Sequence, residues 1–251
     1  MTRRRFYAPQ SAFTPRLDSV TLATDEARHL REVLRLKIGD DVYVFDGKGK
    51  EFRCRIEESR RDTAQLKVIA EIAPARPESP LALTLAVALL KGEKFDLVVQ
   101  KATELGVVRV VPVVTKLADI RLRDEADALK RVSRWQRIAL EAAKQSGRAA
   151  VPAIAAPVSF TSLIHQTGRQ SEADYLMFSE RNGQPLKEAM PISTSEVIAL
   201  VGSEGGWVDD ELETAQQTGW TIITLGGRTL RAETAAIAVA VLLQHTAGDL
   251  V

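Results

Sequence analysis

The sequence predicts an α/β protein in two parts. A small β-barrel is expected over residues 1–72. After a linker at 73–80, an α/β domain is expected over 81–251, its parallel sheet covered by helices on both faces. Three observations predict this. Alternating apolar and polar residues crowd the first part. APARPESP, at 73–80, carries three prolines and no periodicity. From Leu81 onward, short apolar runs alternate with stretches of helical period, the pattern of a parallel sheet.

Each element follows in order. DDVYVFDG alternates and ends in the turn signal Asp46-Gly47; GKEFRCRIEES and TAQLKVIAEI alternate again. A helix is expected at Asp25–Leu34 with Thr24 as its N-cap. Short strands at this density suit a small barrel. LALTLAVALL has the composition of a buried strand, and GEKFDLVVQKATELG that of a helix stopped by Gly106. VVRVVPVV is the next strand, followed by a long helix near Asp124–Ser146 and a short one near Ser159. Strands DYLMF, EVIALVG and TIITLG follow, with a helix at Asp209–Thr218 and a final helix from Glu233. The final segment, AAIAVAVLLQH, has almost no polar face and so demands partners on every side.

Composition narrows the function classes. The chain has 251 residues, 45% hydrophobic and 27% charged, with a net charge of +1, which suits a globular protein with a real core. The barrel segment holds 15 Lys/Arg against 12 Asp/Glu, so basic character is local rather than global. Cys54 is the only cysteine, which excludes an intrachain disulfide and fits a small buried hydrophobe in a reducing cytoplasm. MTRRRFYAPQ is basic but precedes no apolar stretch, so no secretory leader is expected. LALTLAVALL and AAIAVAVLL are too short to span a bilayer, so no membrane association is expected.

Ligands in α/β sheets bind beyond the carboxyl ends of strands. Two consecutive strand ends carry glycines: EVIALVG runs into Gly202-Ser203-Glu204-Gly205-Gly206, and TIITLG into Gly226-Gly227-Arg228. Either cluster alone reads as a tight turn; together they point to a shared pocket. GxxxxGK[ST] is absent, and no GxGxxG follows the first strand of the second domain, which argues against a P-loop or Rossmann enzyme. No HExxH, Cys/His cluster or GxSxG is present, so neither a metal nor an acyl-hydrolase site is expected. His29, His165 and His245 are scattered. Basic residues gather at Arg3, Arg4, Arg5 and at Arg28, Arg31, Arg35, Lys37; on a helix, Arg28, Arg31 and Arg35 share one face. A second stripe, Lys130, Arg134, Arg137, Lys144 and Arg148, interrupted by Glu141, opposes Val132, Trp135, Ile138, Ala139 and Ala142; the ordinary solvated face of an amphipathic helix is a strong explanation for it. A basic barrel joined to a late glycine pocket fits an RNA-directed enzyme.

The residues also carry a family resemblance. RRRFY, HLREVLRLKIGD, FDGKGKEF, LLKGEKFDLVVQKATELGV, RWQRIALEAAKQSGRAAVP, LVGSEGG and LGGRTLRAETA together resemble the ribosomal RNA small subunit methyltransferase E family over essentially the whole chain. The resemblance implies a SPOUT-superfamily enzyme that methylates N3 of a uridine in 16S ribosomal RNA. It uses S-adenosylmethionine and releases S-adenosylhomocysteine. It implies a PUA-like barrel, a C-terminal trefoil knot and a homodimer. Two departures stand out: Ser203 occupies the proline of the family's usual GPEGG, and Thr115-Lys116-Leu117 the usual Ser-Glu-Arg, leaving Arg121 or Arg123 as substitutes for the lost arginine.

The expected cofactor contacts are Phe178, Ser179 and Glu180 on one loop and Leu200, Val201, Gly202, Glu204, Gly205 and Gly206 on a second. Leu225, Gly226, Arg228, Leu230, Arg231, Thr234 and Ala235 complete them. Expected RNA contacts are Arg3, Arg4, Arg5, Arg28, His29, Arg31, Arg35, Lys37, Lys91, Lys94 and Arg148, on 16S RNA or the small subunit. N3 of uracil becomes nucleophilic only when its proton leaves, so Arg231 is expected to stabilise negative charge. Glu204 and Glu233 are the candidate proton acceptors, with helix capping, assisted by Thr234, the alternative for Glu233. No metal is needed. Other functions compatible with the residues are a SPOUT methyltransferase acting on another base or on a ribose, and a non-catalytic RNA-binding assembly factor. LLKGEKFDLVVQKATELG lacks the Asn/Arg motif of ribose-directed relatives.

Overall fold

The computed structural model of the protein describes residues 3–167, 173–189, 192 and 194–250. Contacts divide it into two units. Met1–Glu78 with Leu140–Val151 form the first, and Ser79–Ala139 with Pro152–Val251 the second.

The first unit contains β1 (Arg5–Tyr7), β2 (Ser19–Leu22), α1 (Thr24–Arg28), β3 (Asp41–Phe45), β4 (Glu51–Ser59) and β5 (Ala64–Ile72). They form one sheet in the order β1-β3-β4-β5-β2, with β1 parallel to β3 and the remaining pairs antiparallel. Alternation works as expected: Phe52, Cys54 and Ile56 point inward while Arg53 and Arg55 point out. The inward row joins Phe6, Val20, Leu22, Leu30, Val44 and Leu66 in a single core. The Asp46-Gly47 turn is closed by the Asp46 carboxylate, which accepts the N–H groups of Lys48 (2.7 Å) and Lys50 (3.0 Å).

Buried Glu51 organises the N-terminal basic run. It accepts Arg3 and Arg5, each at 3.1 Å, and the Ala75 N–H at 2.9 Å. Arg5 also donates to the carbonyls of Lys144 and Arg148. Arg148 is itself buried and bound to Glu78 at 2.6 Å. Arg5 and Arg148 are therefore internal braces, which corrects their expected place on an RNA-contacting surface. A buried charge needs its partner, and Glu51 and Glu78 supply it.

The helix expected at Asp25–Leu34 is different in two ways. α1 starts at Thr24, with Ala23 at the N-cap position and no side-chain cap. After Arg28 the chain widens into a π-turn over His29–Val33, and Arg35 follows with φ +52°. The single-face argument for Arg28, Arg31 and Arg35 fails, because it assumed an unbroken period of 3.6 residues.

The second unit contains β6 (Ala82–Ala88), α2 (Lys94–Glu104), β7 (Arg109–Val114), α3 (Glu125–Ser146), β8 (Ala153–Ile154), β9 (Val158–Ser159) and α4 (Phe160–Thr167). Next come β10 (Asp174–Phe178), β11 (Gln184–Pro185), β12 (Glu196–Val201), α5 (Asp209–Gln217), β13 (Thr221–Thr224) and α6 (Ala232–Ala247). The last turns of α3 belong to the first unit. The strands run β11-β13-β10-β12-β6-β7-β8, with β9 also on β7, and every pair is parallel. The central strand β6 is almost wholly buried, as a strand covered on both faces must be. Ala236, Val239, Ala240 and Leu243 of α6 are fully buried at i, i+3, i+4, i+7 spacing against β6, β12 and α2. The opposite face is not covered: Val241 is 38% and Leu242 36% exposed. The expectation of a helix surrounded on every side thus holds for one face of the described chain.

Candidate active site

Parallel pairing brings the carboxyl ends of β10, β12 and β13 to one edge of the sheet, and a cavity of about 560 Å³ lies there. Three loops and the start of α6 line it. Phe178, Ser179 and Glu180 follow β10. Residues 202–207 follow β12, and 225–231 follow β13. Trp207 ties the first two loops together, its indole N–H donating to the Phe178 carbonyl at 2.8 Å.

Most expected cofactor contacts come together here: Phe178, Ser179, Glu180, Val201, Gly202, Glu204, Gly205, Gly206, Leu225, Gly226, Arg228, Leu230, Arg231 and Ala235 all line the cavity. Leu200 does not; it is fully buried within β12. Thr234 is exposed on α6 and is not part of the wall. Ser203, Trp207, Thr224, Gly227, Thr229, Ala232 and Val239 also line it and were not among the expected contacts. The tryptophan directly after a glycine loop was the available signal.

The glycines have separate tasks. Gly206, at φ +68°, closes the turn by donating its N–H to the Ser203 carbonyl at 3.0 Å. Serine at 203 therefore keeps the turn, and its buried hydroxyl has no hydrogen-bond partner among the described residues. Gly205 is a close approach: a Cβ there would lie 2.8 Å from Leu117 Cβ and 2.9 Å from the Leu117 carbonyl oxygen. The unusual Thr115-Lys116-Leu117 segment is thus a wall behind the glycine loop. It is held by Lys116, whose N–H donates to buried Glu211 at 3.0 Å and whose ammonium pairs with Asp210. Arg121 is exposed and Arg123 pairs with Asp127 at 3.8 Å. Gly226 and Gly227 have φ +75° and +74° and face open space.

Charge gathers beside the cavity: Glu204 lines it, whereas Lys94 and Glu233 stand next to the wall without being part of it. Lys94 reaches Glu204 at 2.7 Å and Glu233 at 3.7 Å, so it holds the second loop to the start of α6. Burial pushes the Glu204 carboxyl up, but hydrogen bonds from Lys94 and its own backbone N–H outweigh this and leave it below the usual range. The hydrogen bond to Glu204 in turn raises Lys94. Glu233 is mostly buried, and its Oε2 accepts no hydrogen bond from the described residues. Arg231 is the N-cap residue of α6 without a side-chain cap, and neither it nor Arg228 has an ion pair among the described residues. Lys91, expected on RNA, is exposed and pairs with Asp119 at 2.7 Å. Arg4 and His29 are exposed, His29 with its ring edge on Phe6.

The donor set suits a nucleoside with a sulfonium tail. The cavity falls within the size range of small-molecule sites. Its wall mixes Phe178, Val201, Trp207, Leu225 and Val239 with the backbone of the 225–230 loop, whose N–H and C=O groups make no hydrogen bond among the described residues. No group of three or more metal-ligating side chains occurs among the described residues. No helix among them is long and apolar enough to cross a membrane.

Comparison with known proteins agrees with this geometry. The RNA methyltransferase domain model matches residues 77–244, and the RNA methyltransferase PUA domain model matches residues 22–69. Ribosomal RNA small subunit methyltransferase E of Synechocystis sp. is 34% identical over 219 residues, 86% of this chain and 70% of that protein. The protein of the same name from Rickettsia conorii is 30% identical over 220 residues, 87% of this chain and 86% of that one. The crystal structure of ribosomal RNA small subunit methyltransferase E from Neisseria gonorrhoeae bound to S-adenosyl methionine superposes with a TM-score of 0.87 at 32% identity, covering all of both chains. A Legionella pneumophila methyltransferase in complex with the same cofactor gives 0.87 at 29% identity, again over both whole chains. The architecture is a PUA-like sheet followed by a parallel sheet covered by helices, the RNA methyltransferase domain. By domain content, sequence and structure together, the chain belongs to the ribosomal RNA small subunit methyltransferase E family.

Proposed function

We propose that this chain methylates N3 of a uridine in 16S ribosomal RNA, with S-adenosylmethionine as the donor and S-adenosylhomocysteine as the product. The observation that carries the reading is the cavity at the ends of β10, β12 and β13, in a chain whose relatives hold this cofactor at full-length similarity. Bound S-adenosylmethionine supplies a methyl carbon already activated by its sulfonium. The protein's task is alignment and charge. The backbone of 202–206 and 225–230 holds the nucleoside and amino-acid ends, and Trp207 fixes the loops. Arg231, without an ion pair among the described residues, faces the negative charge that develops on uracil as N3 loses its proton. Glu233 accepts that proton. Glu204 is the poorer base, because Lys94 already holds its carboxylate.

Residues 1–72 serve to hold RNA, 73–80 connect, and 81–251 carry out the chemistry. The protein works as a cytoplasmic homodimer. The exposed apolar face of α6, with Val241 and Leu242, supports the dimer, because its burial against a second copy removes apolar area from water. The test is calorimetry of the purified protein with S-adenosylhomocysteine, followed by transfer of labelled methyl groups to ribosomal RNA. Binding with transfer to small-subunit RNA is expected. Failure to bind the cofactor product favours the non-catalytic assembly factor.

A further inference from the structure

Two apolar side chains of the first unit are far more exposed than the rest, and they lie close in sequence: Val33 at 65% and Ile38 at 67%, with Leu34 between them at 37%. The backbone turns them out. Leu30 is fully buried, and in an α-helix Val33 and Leu34 would share its face. Instead the π-turn at His29–Val33 widens the helix, with the Leu34 N–H bonded to the His29 carbonyl. Arg35 then takes φ +52°, and Leu36 returns to the core with its N–H on the Leu30 carbonyl at 3.0 Å. Leu30 and Leu36 anchor an arc whose apolar side chains face solvent. A π-turn and a left-handed arginine each carry a conformational cost, and both concentrate at functional sites.

Cations frame the arc. Glu32 is already paired with Arg28 (2.9 Å) and Arg31 (2.8 Å). Arg31 also donates to the carbonyls of Arg60 (2.6 Å) and Arg61 (2.9 Å), which brings the β4–β5 turn alongside. Arg35, Lys37 and Arg61 are exposed and have no ion pair among the described residues.

We propose that Val33, Leu34 and Ile38 form a wedge that packs on unpaired bases of the substrate RNA, with Arg35, Lys37 and Arg61 on the flanking phosphates. The proposal rests on the RNA-methyltransferase reading above. N3 lies on the pairing edge of uracil, so the target base must be out of a duplex when it is methylated. Unpaired RNA presents base faces between phosphates, the complement of an apolar arc framed by cations.

The test uses the full-length protein, titrated with small-subunit RNA at several salt concentrations, and with assembled small subunits. Val33→Ser/Ile38→Ser should keep its melting temperature and its S-adenosylhomocysteine affinity, since both side chains are exposed. Its RNA affinity should fall roughly tenfold with an unchanged salt slope. Lys37→Gln/Arg61→Gln should instead flatten the slope of log K against log salt by about 1.4, or about 0.7 per lost phosphate contact on single strands. Unchanged RNA affinity in the first variant overturns the wedge. So does a loss seen with assembled subunits but not with naked RNA, which would assign the arc to a protein partner. A wild-type protein that binds RNA but transfers no methyl group sinks the enzymatic reading, while the binding comparison still decides the wedge.

Discussion

Replacing Gly205 with alanine tests the geometry of the cofactor loop most sharply. The new Cβ would lie 2.8 Å from Leu117 Cβ and 2.9 Å from the Leu117 carbonyl oxygen. Carbon atoms in contact prefer about 3.5–4.0 Å, so the loop or its neighbour must give by about 0.7 Å. Gly205 is not in the left-handed region, so the strain comes from the clash and not from φ. Overpacking of this kind costs about 1–3 kcal/mol. The free protein relieves it by moving the 203–206 loop toward the cavity, and cofactor binding must reverse that shift. At about 1.4 kcal/mol per decade, affinity should drop roughly 5- to 140-fold. Calorimetry with S-adenosylhomocysteine measures it. Leu117→Gly in the same chain removes the Cβ contact but not the carbonyl contact, so it should restore part of the loss. Leu117→Ala keeps the Cβ and should restore none. Wild-type affinity in Gly205→Ala, or equal rescue by both second changes, would refute the reasoning.

Three further predictions rest on single side chains. Arg231→Ala should keep cofactor affinity within about twofold and lower methyl transfer by roughly 10²–10³, the scale for losing one transition-state charge contact; abolished cofactor affinity in a folded variant would show that Arg231 belongs to cofactor binding instead. Cys54 is buried, and burial pushes its thiol up to about 12, so a disulfide reagent at about pH 8 should label it only after unfolding in denaturant; prompt labelling of the native protein contradicts the packed core of the first unit. Glu204→Gln should lower the melting temperature at neutral pH. The Glu204 carboxyl is held below its ordinary value of 4.5, so its contribution is full above that value and fades as pH falls through the lowered one. Lys94 is raised above its ordinary 10.5, so its side of the pair fades only as pH rises beyond that. The gap between variant and wild type should therefore narrow as pH falls below the ordinary carboxylate range and close once the lowered Glu204 group is protonated, and a gap that stays constant on acidification would deny the pair its role.

The fold was legible where local period and burial coincide. Arg53, Cys54 and Arg55 alternate because β4 has one wet face and one dry face. The pocket was legible because glycines end two parallel strands, EVIALVG and TIITLG, which flank β10 on either side, so that parallel pairing brings their ends to one edge of the sheet. What local pattern cannot carry is the partner of a charge. Arg3, Arg4 and Arg5 read together as RNA contacts, yet Arg5 turns inward because the β1-β3-β4 order puts Glu51 beside it. Arg148 likewise finds Glu78, 70 residues away in sequence. The π-turn at His29–Val33 was hidden for a related reason: an α-helix and a π-turn share the same sequence until tertiary contacts choose between them. Trp207 was overlooked because its task, an N–H bond to the Phe178 carbonyl, joins two loops that are distant in the chain.

The central claim is the atom that receives the methyl group. Nuclease digestion and mass spectrometry of small-subunit RNA from cells lacking this protein, compared with the same RNA after treatment with the purified protein and S-adenosylmethionine, tests it directly. One N3-methyluridine is expected, absent from the first sample and restored in the second. An unchanged modification pattern, or a methyl group gained on a ribose or on another base, would contradict it.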